Sequence, residues 1–182
     1  MVRLWAVAFA ILTFAILAAE PLEAQDTAGW SDTRWGMSPD ELMKLHPEMS
    51  IGKDYLGGFT AGVIPNVAIA GAPFTAYLRF AGVGGLRLVG STQPEPPQGQ
   101  WRLAEVELYY STNDGSASAV CDRVAEALLG KYGPPTRHEP GGFGDMRLWV
   151  LPKTTVRQSA FNSLRKAECR VMYKATESGD KL

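Results

Sequence analysis

The stretch "LAEVELYY", Leu103 to Tyr110, alternates apolar and polar side chains. A β-strand sends successive side chains to opposite faces. Ala104, Val106, Leu108 and Tyr110 therefore fall on one face, and Leu103, Glu105, Glu107 and Tyr109 on the other. One apolar and one mixed face is the signature of a half-buried antiparallel strand. "PFTAYLRF" repeats the pattern upstream, with Phe74, Ala76, Leu78 and Phe80 opposing Thr75, Tyr77 and Arg79. "MRLWVL", "TTVRQSAF" and "ECRVMYK" continue the series downstream, and the glycines Gly82 to Gly85 suit a hairpin turn.

Two helices interrupt these strands. In "TRWGMSPDELMKLHP", Thr33 to Pro47, Ser38 is placed to cap a helix, Pro39 suits its first turn and Glu41 completes an S-x-x-E capping box. Met37 and Leu42 fit a hydrophobic staple, and Pro47 stops the helix after His46. The second helix runs from about Ser116 to Tyr132. Cys121, Val124 and Leu128 share its face, Val120 lies beside that stripe, and Gly133 with two prolines ends it.

The order, helix then strands and again helix then strands, predicts an α+β fold: an antiparallel sheet with helices packed on one face. It also implies two α-then-β pseudo-repeats, about 35–111 and 116–174, within a single domain spanning 25–175. The match between the halves is architectural, since no residue pattern repeats well. The proline-rich "STQPEPPQGQ", Ser91 to Gln100, and "GPPTRHEPGGFGD", Gly133 to Asp145, read as surface loops, and 176–182 as a frayed tail.

Ahead of the domain, Arg3 is followed by "LWAVAFAILTFAILAA", which stops at Glu20 and Pro21. This is the plan of a signal peptide, with cleavage expected after Ala24; an uncleaved signal anchor is the alternative. No cysteine follows the apolar run to accept a lipid. Residues 1–24 hold Arg3, Glu20 and Glu23, so without them the 18 basic and 19 acidic residues become 17 of each. A neutral chain argues against a nucleic-acid partner, which needs a basic stripe, and no basic amphipathic helix suggests membrane contact after signal removal. Periplasmic or secreted localisation follows.

"RWGMSPDELMKLHP", "RLAEVELYYS", "ALLGKYGPPT" and "CRVMY" together resemble a group of small exported bacterial proteins whose repeats open with "WGMS" plus an acidic residue or with "L..KYG.P". The element order is also similar to the helix-plus-antiparallel-sheet modules of the β-lactamase-inhibitor-protein and outer-membrane-assembly small-protein group. The resemblance covers most of the chain after the apolar run. It implies a binding or assembly role and carries over no catalytic residue.

Candidate sites are few. An exported chain meets an oxidising compartment, where a disulfide persists. Cys121 lies on the apolar face of the second helix, and Cys169 alternates with Val171 and Tyr173 on the last strand. A Cys121–Cys169 disulfide is expected if that helix covers that strand face; the alternative is two buried free thiols. With only His46 and His138, no metal-ligand spacing appears. His46 is expected at a helix end and His138 in a loop. No G-x-S-x-G or phosphate-binding loop is present, so neither cofactor nor metal is expected. Glu105 and Glu107 form a carboxylate pair on one strand face, read as solvated charges.

The outward face of the sheet is expected to carry Tyr77, Arg79, Tyr109, Trp149 and Arg157, aromatic and arginine types enriched at protein interfaces. The alternative is that Trp149 and the tyrosines are covered by the proline-rich loop or by the segment holding Trp30 and Trp35. The functional expectation is a non-catalytic protein that binds a protein or envelope component through the open sheet face. Two other readings stand beside it: an enzyme on a small envelope substrate, and a small-ligand carrier hinted at by the small residues of "GGFTAGVIPNVAIAGA".

Overall fold

The computed structural model describes residues 28–53, 60–81, 97–114, 116–141, 144–162 and 166–176. The expected signal peptide, the Gly82–Gly85 turn, most of the Ser91–Gln100 loop and the tail after Thr176 lie outside them. Helix α1 is Pro39–Leu45. Both arms of its capping box form: the Glu41 N–H donates to Ser38 Oγ at 3.3 Å, and the Ser38 N–H donates to Glu41 Oε2 at 2.8 Å. His46 caps the other end, immediately before Pro47. Helix α2 is Ala117–Tyr132 and buries Val120, Cys121, Val124 and Leu128. It ends at Gly133, whose φ of 74° is a conformation that side-chain-bearing residues disfavour.

Four strands follow each helix, among them the five segments whose alternation was read from sequence. They are β1 (Ser50–Lys53), β2 (Thr60–Ile69), β3 (Ala72–Ala81), β4 (Arg102–Thr112), β5 (Arg137–Gly141), β6 (Gly144–Val150), β7 (Thr154–Asn162) and β8 (Ala167–Ala175). They form one antiparallel sheet in the order β1-β2-β3-β4-β8-β7-β6-β5. The fold is therefore α+β and mostly sheet. The second proline-rich segment is only partly a loop, because it contains β5 and the start of β6. Pro140 is tolerated there because β5 is an edge strand, bonded on one side only.

Two bulges reset the side-chain alternation. Arg79 pairs with Glu105, yet the next residue, Phe80, pairs with Leu103, so Ala104 is the extra residue on β4. Leu103 thereby turns to the core and is 2% exposed, against the simple period-two reading. On β2 a second irregularity lies between Ile64 and Val67, where Asn66 has a φ of 59°.

The core lies between the helices and one sheet face. Leu42 of α1 and Val120, Val124 and Leu128 of α2 join Phe74, Leu78, Val106, Leu108, Val156 and Val171 of the strands. Fully burying a side chain of this kind contributes about 1.5–3 kcal/mol. Trp30 and Trp35 pack against the same core, and Trp35 Nε1 donates to Thr154 Oγ1 at 3.3 Å. The N-terminal segment thus covers the helix side of the sheet. A disulfide joins Cys121 of α2 to Cys169 of β8, as the two faces required.

Tyr173 sits in this core beside Tyr132, and both are 7% exposed. Burial, and then Tyr132, push the Tyr173 phenol well above its ordinary value of 10.0. A raised folded-state value means the neutral form is stabilised. Its contribution is complete below the unfolded-state value of about 10 and falls away as pH rises beyond it. The urea midpoint is expected to drop between pH 9 and pH 11, and Tyr173→Phe to flatten that slope; an equal slope in the variant would assign the alkaline loss elsewhere.

Candidate functional site

The face opposite the helices is built by cross-strand rows. Tyr77, Glu107, Met172, Arg157 and Leu148 lie in register from β3 to β6, and beside them run Thr75, Tyr109, Arg170, Ser159 and Met146. A third row holds Arg79, Glu105 and Lys174, and a fourth Ser111, Glu168 and Phe161. Tyr77, Arg79, Tyr109 and Arg157 therefore share the face assigned to them from sequence. Trp149 does not.

Trp149 is a correction. It pairs with Val156, which pairs with Tyr173, so it belongs to the core row and is 1% exposed. Its Nε1 donates to the Gly133 carbonyl at 2.9 Å, tying β6 to the end of α2. The phase of β6 is thus the reverse of what Met146, Leu148 and Val150 suggest. Arg147 shares the helix side because its charge is answered there: Nη2 meets Asp145 Oδ2 at 2.6 Å and Nη1 donates to Gln158 Oε1 at 3.3 Å. His138 is likewise on strand β5 rather than in a loop, 2.6 Å from Asp145 Oδ1. His46 does sit at a helix end, 3.1 Å from Asp32 Oδ1.

The β3–β4 half of the outer face is closed by charge. Arg79, expected to be open, is 8% exposed, and Glu105 and Glu107, expected to be solvated, are 8% and 2%. The register explains the cluster: Arg79 is directly opposite Glu105, one rung from Glu107, and its two terminal nitrogens bind one carboxylate each. Burial alone would depress the guanidinium, but Glu107 and Glu105 outweigh it and hold its charge more firmly than usual.

Tyr109 is held in place by a second group. Lys166 Nζ donates to its hydroxyl at 2.6 Å, and the hydroxyl donates to Glu168 Oε1 at 3.0 Å. Arg170 binds Glu168 and stands 5.7 Å from the Tyr109 ring centroid, while Tyr77 meets that ring edge-on at 6.5 Å. The Tyr109 hydroxyl, then Glu168, push Lys166 up to about 12. Burial would raise the Glu168 carboxyl, but bonds from Lys166, Arg170 and Tyr109 overcome it and hold the group below its ordinary value. Arg170, Lys166, Glu168 and Met172 were not singled out from sequence. The signal was present, since an inward Cys169, Val171 and Tyr173 send Glu168, Arg170 and Met172 outward.

The β6–β8 half is accessible. Arg157 is exposed, Phe161 is 46% exposed, and Met146, Leu148, Ser159, Arg170 and Met172 are half-buried. A depression of about 210 Å³ lies at its centre, lined by Glu107, Arg157, Ser159, Arg170 and Met172. Among the described residues, no group of three or more His, Cys, Asp or Glu side chains is placed to hold a metal ion. No helix among them is long and apolar enough to cross a membrane. Compared with protein-family models, with curated proteins and with solved structures, the chain matches none.

Proposed function

We propose that this is an exported, non-catalytic binding protein that docks a protein or envelope component on the β6–β8 half of the sheet face opposite its helices. The observation carrying the reading is the mixture of side chains left accessible there: Arg157, Phe161 and the two methionines Met146 and Met172. Methionine adapts to a partner's shape, and arginine and aromatic groups anchor interfaces. The arrangement is also pre-ordered, because Tyr109, Glu168 and Arg170 hold one another before any partner arrives. Pre-ordering lowers the entropy lost on binding.

The depression is smaller than the roughly 300–1,000 Å³ common for small-molecule sites, and it is open on the sheet surface. It suits a single inserted side chain better than a substrate or carried ligand. We further infer that the halves are pseudo-repeats. Each runs helix then four strands, and β4 and β8, the last strand of each, meet at the centre of the sheet. That order also supports kinship with the β-lactamase-inhibitor-protein-like modules.

Crosslinking in cells, with partners identified by mass spectrometry, tests the docking reading. A specific partner is expected with the unaltered protein and not with Arg157→Ala/Phe161→Ala, both of which are surface changes that leave the core intact. Equal recovery of every partner by the variant would remove this face from consideration.

A further inference from the structure

We propose that Met172 is an oxidant-reactive site, at which a hydroperoxide converts the thioether to a sulfoxide whose oxygen Arg157 holds in the depression. Met172 is half-buried on β8 and lines that depression of about 210 Å³. A water takes about 30 Å³ of liquid volume, so hydrogen peroxide, which is little larger, has room to approach. Arg157 Nη2 donates to Met172 Sδ at 3.4 Å, which puts an exposed cation beside the polarisable atom of the side chain. The other methionines among the described residues lack this combination. Met49 is 6% exposed in the core, and Met37 and Met43 pack against that core. Met37 Sδ takes a backbone N–H, from Arg34 at 3.2 Å. Met146 shares the outer face and is half-buried, but it does not line the depression.

In the reaction a sulfur lone pair attacks the terminal peroxide oxygen and the O–O bond breaks. The far oxygen leaves with the proton of the near one, as water or an alcohol. Sulfur is oxidised by two electrons and the hydroperoxide is reduced by two, so no further reactant is needed. Negative charge gathers on the departing oxygen, and a guanidinium beside the sulfur stabilises it there. A thioether is a weak acceptor and a sulfoxide oxygen a polar one, so Arg157 exchanges a poor contact for a better one. Ser159 adds a hydroxyl to the same wall. A hydroperoxide is uncharged, so Glu107 and Glu168 do not repel it, and no surplus of charge on the face is required. The site stands whether or not a partner docks.

The test treats the folded protein with hydrogen peroxide and follows sulfoxide at each methionine by peptide mass spectrometry, with the unfolded protein as the measure of unassisted reaction. Met172 is expected to react about fivefold or more faster than Met146. In Arg157→Leu the Met172 rate should fall to that of Met146, and Arg157→Lys should restore part of it. Arg157 is exposed, so both variants keep the core. The direction of the change separates chemistry from cover, because an arginine that only shields the sulfur gives an unchanged or faster reaction when replaced by leucine. Either of those results, or equal rates at Met172 and Met146 in the unaltered protein, overturns the proposal.

Discussion

Arg79→Met is expected to destabilise the protein by about 3–5 kcal/mol, read as a lowered urea midpoint at pH 7. The size follows from burial. Arg79 links Glu105 and Glu107, and none of the three is more than 8% exposed. Removing the guanidinium leaves two carboxylates next to one another on β4 with their shared cation gone. An exposed ion pair lost in the same way costs about 0–1 kcal/mol, so the two cases separate cleanly. The combined variant Arg79→Met/Glu105→Leu/Glu107→Leu is expected to recover most of the loss, because a charge-free cluster of similar volume no longer needs the pairing. A small effect of Arg79→Met alone would show that water reaches the cluster.

Loss of the Cys121–Cys169 disulfide is the second large effect. Cys121→Ala/Cys169→Ala should lower stability by about 2–4 kcal/mol in the chain-entropy account, since the bridge closes a loop between residues 48 apart. That loop contains β5, β6 and β7. Hydrogen exchange should therefore rise first in those strands and less in β2 and β3. Thiol counting must be done on unfolded protein, because Cys121 and Cys169 are 1% and 0% exposed and would resist alkylation whether bridged or not. Two thiols found in unfolded, unreduced protein from cells, together with identical melting of the double variant, would end the proposal that the bridge stabilises the protein.

What the sequence disclosed depended on whether local chemistry and tertiary environment agreed. Ser38, Glu41 and the stripe of α2 act within a turn or two of their own position, and α1 and α2 were legible for that reason. The strands β3 and β4 were legible where alternation was unbroken. The bulge at Ala104 hides from a period-two count, so Leu103 was placed on the wrong face. Strand β5 was hidden by Pro140 and its flanking glycines, which mark a loop unless one knows the strand is an edge. Trp149 was misplaced because nothing in the local sequence shows that the neighbouring Arg147 finds its partners, Asp145 and Gln158, on the helix side.

The candidate site divides in the same way. Tyr77, Tyr109 and Arg157 could be placed on one face by counting residues. Which half of that face would be closed could not. It depends on Arg79 reaching two carboxylates across a strand pair, a fact of register set by the bulge and by chain reversal between β3 and β4.

Strand order has a consequence for how the chain is assembled. The eighth strand, β8, is not an edge: it lies between β4 and β7 and contributes Val171 and Tyr173 to the middle of the core. Until residues 167–175 arrive, β4 presents an unpaired margin of backbone groups beside the apolar Val106 and Leu108. A margin of that kind recruits other strands. The chain thus carries its own aggregation hazard for as long as its synthesis is incomplete, and β8 acts as the closing wedge that removes it. Interruption of the chain before β8 is a splitting of the whole sheet, not a trimming of its rim.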